Sequence, residues 1–170
     1  FFVMCGFTFT VFLSAFLLFP TAPFRILALG GSEATAGLFL GFLTYASALS
    51  APFTGALADR VGTRRVLVVC GLLLTGFAAA YGWSGDVRTF LALSLLHGIF
   101  WSGLLSASSA YMSDVIPEGR RAEGLSYWGM STVAAVAVAP SIGFWLYHRG
   151  WGVLCAAMAG LNLVMALIAL

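Results

Sequence analysis

Residues 55–67 read G-A-L-A-D-R-V-G-T-R-R-V-L, and the rest of the chain is organised around this stretch. Asp59, Arg60, Arg64 and Arg65 fall within seven residues, between two long apolar runs. A short charged link between such runs is a tight hairpin held outside the hydrocarbon of a membrane, because burying its charges would be costly. Gly62 sits in the hairpin, where a tight turn needs a residue that takes φ > 0 without a Cβ clash. Gly55 lies about one turn before the charges, where a missing side chain lets another helix approach closely.

Working outward, the flanking runs set the fold class. The chain has 170 residues, of which 61% are hydrophobic and 8% charged. That leaves too little polar surface to face water, and long apolar runs are membrane spans. In lipid every backbone polar group must be satisfied within the protein, so only helices or a closed barrel remain. Barrel strands would alternate over about 10 residues; these runs do not, so the protein is all-α. Six spans are expected, at about 1–19, 34–58, 66–83, 89–112, 125–147 and 151–170. The chain starts with Phe1-Phe2 and no basic stretch, and an apolar run is still under way at Leu170. It therefore reads as one six-helix domain, residues 1–170, cut from a longer protein rather than led by a signal peptide.

The loops orient the spans. All eight basic residues are Arg. Arg60, Arg64, Arg65, Arg120 and Arg121 fall in the loops after spans 2 and 4, and Arg25, Arg88 and Arg149 in the others. This excess puts the first group, and the amino terminus, in the cytoplasm. The location is then the plasma membrane, the inner membrane in a bacterium. Trp83, Trp151, Tyr81 and Tyr147 near span ends read as interfacial aromatics. The net charge of +2 is small and confined to loops, which argues against a nucleic-acid partner. Cys5, Cys70 and Cys155 lie within apolar runs without C-x-x-C spacing, so neither a metal site nor a disulfide is expected, and no cofactor.

A shift of 88 residues lays span 2 on span 5. Gly41, Thr44, Ala46, Ala51, Pro52 and Gly55 then coincide with Gly129, Thr132, Ala134, Ala139, Pro140 and Gly143. Ser47, Ala51 and Gly55 form a small-residue stripe, as do Ala135, Ala139 and Gly143, and such stripes let helices pack closely in lipid. Spans 2 and 5 run in opposite directions, so the repeat is an inverted 3+3.

The opening stretch resembles the signature loop of the major facilitator superfamily of secondary transporters, G-x-L-x-D-R-x-G-R-[RK]-x-x-L. Gly55, Leu57, Asp59, Arg60, Gly62, Arg64 and Leu67 match it, and Thr63 stands where Arg is usual. The resemblance implies the amino-terminal half of a twelve-helix transporter, with a carboxy-terminal half outside this chain. It also implies gating by this loop, with Arg64 as the cationic partner of Asp59. The stretch D-V-I-P-E-G-R-R is similar to the family's D-x-x-P-x-x-x-R pattern after helix 4. It supplies Asp114, Arg120 and Arg121 as expected gate partners for Asp59 and Arg64. In span 5, A-V-A-V-A-P-S-I-G-F resembles an antiporter signature, G-x-x-x-G-P-x-x-G-G. Ala139 and Pro140 fall at its G-P pair and Gly143 at a later Gly, with Ala135, Ala139 and Phe144 replacing Gly.

Many proton-linked members carry an Arg three residues before a Q-G pair in helix 4. Here the stretch is S-L-L-H-G, with Ser94 in the Arg place and His97 before Gly98. His97 is the one ionisable side chain well inside a span other than thiols and phenols. Such a group is a functional candidate by default, against the plainer reading of a neutral His bonded to a neighbouring helix. Trp101 lies one turn on, on the same face. Thr10, Tyr45 and Trp128 join them as cavity candidates, since helices 1, 2, 4 and 5 border the central cavity in the family.

The first reading is thus a secondary transporter of a small molecule, working by alternating access in the bilayer, with export coupled to protons. Symport or facilitated uptake of a sugar or other small solute is the alternative. A membrane protein that keeps the fold for sensing or assembly is a rival. An intramembrane enzyme would need paired carboxylates, H-E-x-x-H or G-x-S-x-G, and the chain carries none of these motifs.

Overall fold

The computed structural model describes residues 1–170, and the chain is helical almost throughout. In order come α1 (Phe2–Leu18), α2 (Ala22–Ala28), α3 (Glu33–Val61), α4 (Thr63–Trp83), α5 (Val87–Val115), a 3-10 turn (Glu118–Arg120), α6 (Arg121–Arg149) and α7 (Trp151–Ala169). Six spans are long and apolar enough to cross a membrane, α1 and α2 together forming the first, Phe2–Ala28. The break between them falls at Pro20 and Pro23. Pro23 lacks the N–H a helix interior needs but suits a first turn, where that N–H has no partner anyway. Thr21, at the break, donates its hydroxyl back to the Leu17 carbonyl at 2.7 Å. The sequence ended span 1 at Phe19 and left α2 unread.

Spans 2, 4 and 5 begin earlier and end later than their apolar runs, and span 3 begins earlier, because polar residues continue the helix until a cap stops it. Ser32 and Thr35 form a reciprocal capping box at the start of α3. At the start of α5 the Asp86 carboxylate accepts the Thr89 N–H at 2.8 Å. These side chains satisfy donors that a helix start leaves without partners. Gly62, at φ +92°, both ends α3 and starts α4.

The packing follows the inverted repeat. α1 leaves its own repeat to pack on α6 and α7, while α5 packs on α3 and α4. α4 and α7 meet between them. Exchanging spans 1, 2 and 3 for 4, 5 and 6 maps this pairing onto itself. Each close crossing has a small residue in it. A Cβ on Gly98 of α5 would run into the Leu43 carbonyl oxygen of α3. One on Gly143 of α6 would lie 2.9 Å from the Leu17 carbonyl oxygen of α1, and one on Gly71 of α4 3.0 Å from Ala166 Cβ of α7.

Two expectations about faces are corrected here. The stripe Ala135, Ala139 and Gly143 is buried, against α1 at Gly143, but in the equivalent stripe Ala51 is exposed, Ser47 and Gly55 are only half-buried, and nothing lies within 4 Å of the place a Gly55 Cβ would take. α3 turns the neighbouring face, with Leu43 and Thr54, to α5, whose Gly98 and Gly103 provide the room. Tyr81 and Trp151 are not interfacial but core residues, 0% and 8% exposed. The Trp151 indole donates to the Tyr81 carbonyl at 2.8 Å and ties the start of α7 to the end of α4. Trp83, by contrast, is exposed.

Candidate functional site

The signature stretch runs down the end of α3, turns at Gly62 and re-enters α4. Ala58 and Leu67 anchor it in the core, while Asp59, Arg60 and Arg65 are exposed. Gly55 has no atom within 4 Å of the place its Cβ would take. Leu57 lines a cavity of about 420 Å³ together with Thr54, Arg65, Val69 and Ile99. The expected Asp59–Arg64 pair is absent. Arg64 donates from Nε to the Ala169 carbonyl of α7 at 3.0 Å instead.

The loop between α5 and α6 also keeps its charges to itself. Arg120 makes the one ion pair of the chain, a two-pronged contact with Glu123 at 2.6 and 2.8 Å. Arg121 donates to the Ser113 carbonyl at 3.2 Å. Asp114 is exposed and unpaired, so none of the three reaches Asp59 or Arg64. This loop shares a cavity of about 560 Å³ with the first residues of the chain, lined by Phe1, Phe2, Ile116, Pro117 and Tyr127. Phe1 therefore lies at the same end of the molecule as this loop.

In α6, Ala139 and Gly143 are buried and Pro140 half-buried, and Gly143 lies over the α1 backbone. Their observed part is close packing. Trp128, one of the cavity candidates, donates its indole N–H to the Thr8 hydroxyl at 2.7 Å, bridging α6 and α1. Thr10 returns its hydroxyl to the Gly6 carbonyl at 2.8 Å. Tyr45 is exposed and lines a cavity of about 840 Å³ between α3 and α5 with Leu49, Leu95 and Ile99.

His97 and Trp101 are together but line none of the three principal cavities. His97 is 5% exposed, with ring centroids of Phe77 and Tyr81 at 5.9 Å and of Trp101 at 6.5 Å. Its Nδ1 is buried without a hydrogen-bond partner, so it is not the neighbour-bonded His of the plainer reading either. Ser94, in the place of the usual Arg, returns its hydroxyl to the Leu91 carbonyl at 2.7 Å. Sequence reasoning missed Tyr81 and Arg25 as companions of this region. Tyr81 looked interfacial and Arg25 looked like a loop charge, and only the fold turns them inward.

Against known proteins, the family model of the Major Facilitator Superfamily matches residues 4–170. The multidrug export protein EmrB of Haemophilus influenzae is 26% identical over 123 residues, covering 71% of this chain and 24% of that protein. The PmrA homolog of Lactococcus lactis, a multi-drug resistance efflux pump, is 30% identical over 131 residues, 75% of this chain and 32% of that protein. The chain thus spans about a quarter to a third of the length of these relatives. Among solved structures, the peptide transporter POT in complex with sulfate superposes with a TM-score of 0.79. That match is 24% identical and covers 98% of this chain and 36% of the transporter.

Proposed function

This chain belongs to the Major Facilitator Superfamily, and from that premise we propose that it forms one half of a secondary transporter. The transporter exports a small molecule by alternating access, with its two halves rocking about a central site. The observation that carries this reading is the exposed side of the bundle. α3 and α6 occupy equivalent places in the inverted repeat, and each leaves most of its length uncovered. A second six-helix half has its natural seat there, and a central site would lie between the halves. Export is the direction the printed names of EmrB and the PmrA homolog favour. The Arg-rich loops and Phe1 then lie in the cytoplasm. The signature loop serves as the hinge on that side, through Asp59 and Arg64.

Protons are the coupling ion in this reading, and His97 carries them in this half. An imidazole can take up and release a proton without a metal or cofactor. The test is transport by the full-length protein in liposomes. His97→Gln should keep substrate exchange and lose accumulation driven by a pH gradient. Undiminished pH-driven flux per molecule would remove His97 from the mechanism. Uptake along the proton gradient instead of export would favour the symport alternative.

A further inference from the structure

Three buried side-chain polar atoms have no hydrogen-bond partner in the protein: Arg25 Nε, Tyr81 Oη and His97 Nδ1. Buried polar atoms are normally paired, so such atoms are exceptions that need a cause. They are also not scattered. The Arg25 guanidinium lies over the Trp151 ring at 5.6 Å. Trp151 is bonded to the Tyr81 carbonyl at 2.8 Å. The Tyr81 ring lies 5.9 Å from that of His97. The three residues that carry them are therefore linked as neighbours, Arg25 through Trp151 to Tyr81 and Tyr81 to His97, along the seam of α2, α4, α5 and α7. Phe39, Phe77 and Phe90 wall it. Cys155, against Gly82, is the one further ionisable group close to both Arg25 and Tyr81. α3 presents Phe39 to this cluster, and Phe12 of α1 and the following Phe19 lie against Trp101 beside His97; none of these titrates.

We infer that this seam holds a hydrated proton route running inside the six-helix bundle, from Arg25 through the Tyr81 hydroxyl to His97 Nδ1. The inference rests on the proton-coupled reading above and adds where the proton enters. A buried donor or acceptor left bare costs about 1–3 kcal/mol, and buried water characteristically satisfies such groups. Tyr81 Oη is both donor and acceptor, so it can take a proton from a water on the Arg25 side while giving its own to a water toward His97. His97, holding its proton on Nε2, accepts at Nδ1 and becomes imidazolium. No bond other than O–H and N–H changes, and no redox partner is required. The route is separate from the three principal cavities, none of which includes these residues.

The test compares Tyr81→Phe with His97→Gln in the full-length transporter, reconstituted and normalised to exchange without a gradient. Tyr81→Phe should lower pH-driven flux by about 10²-fold, the low end of what a positioned proton-transfer group contributes, and leave exchange unchanged. Wild-type flux in Tyr81→Phe, with His97→Gln inactive, overturns the route and spares the coupling reading. Full pH-driven flux in His97→Gln overturns both. If Tyr81→Phe is recovered poorly, 3-fluorotyrosine at position 81 makes the hydroxyl more acidic without changing its place. It should displace the pH profile of driven flux but not that of exchange, and an unmoved profile overturns the route.

Discussion

α3 and α6 are the same helix twice, yet they use their small residues in opposite ways. Both run 29 residues with an internal proline, Pro52 in one and Pro140 in the other. In α6 the small stripe is sealed inside the chain, with Gly143 over the α1 backbone. In α3 the equivalent stripe is open, and the glycines that let α3 and α5 touch are Gly98 and Gly103 on α5. A close crossing needs one small surface, and either helix can provide it. The repeat fixes where the helices go and leaves each interface to choose its donor of space.

The contrast is broken most severely at the crossings themselves. Gly98→Leu puts a side chain into the Leu43 carbonyl, which is backbone and has little room to yield. Overpacking of this kind costs about 1–3 kcal/mol or more. Gly98→Leu and Gly143→Leu should both yield little folded protein, read as loss of the monodisperse peak and of the thermal transition. Gly55→Leu, at the position equivalent to Gly143, should leave the thermal transition of this half unchanged and cut transport per molecule. Equal damage to folding from Gly55→Leu and Gly143→Leu would abolish the distinction between the two helices.

A finer test uses the two polar bridges. Trp128 to Thr8 joins α6 to α1 at 2.7 Å, and Thr54 to Ser102 joins α3 to α5 at 3.1 Å. Trp128→Phe should cost about 0.5–1.5 kcal/mol in denaturant or thermal unfolding, the net worth of one hydrogen bond. Ser102→Ala should cost less, because Thr54 keeps its bonds to the Ser50 and Ala51 carbonyls. A larger loss from Ser102→Ala would show that the α3–α5 side is the more fragile.

The smallest effect is a difference in pH response between helix starts. The Thr89 hydroxyl and N–H hold the Asp86 carboxyl below its ordinary range. A lowered folded-state pKa stabilises the protein above the unfolded carboxylate range, and this is lost as pH falls through the lowered value. Unfolding should therefore become slightly easier at acid pH, and Asp86→Asn should flatten that dependence. The cap at the start of α3 is made instead by uncharged Ser32 and Thr35.

These contrasts mark what the sequence could and could not disclose. Apolar run lengths gave six spans because lipid leaves the backbone no alternative to helices. Gly62 was legible because its positive φ is a local demand, and the repeat because Pro52 and Pro140 keep their spacing. Which side of α3 meets α5 was not legible, since small residues lie on two adjacent faces and the choice depends on α5. The partner of Arg64 was hidden for the same kind of reason. Asp59 is near in sequence, but the fold brings the end of α7 nearer. Tyr81 and Trp151 looked interfacial from their distance to the span ends, and only the seating of α7 against α4 turns them into core.

The exchange of first helices between the repeats has a consequence for how the chain is made. α3, α4 and α5 are consecutive and mutually packed, so they can close as they emerge. α1 cannot, because its principal partners are α6 and α7. Roughly a hundred residues separate the end of α1 from the start of α6, which at ribosomal speed is about 5–20 s of waiting. Through that interval the first helix to be synthesised sits in the bilayer with Thr8 and Ser14 unclaimed by the helix it will cover. The oldest helix of the domain thus docks only once α6 arrives, after the younger α3, α4 and α5 have closed on one another.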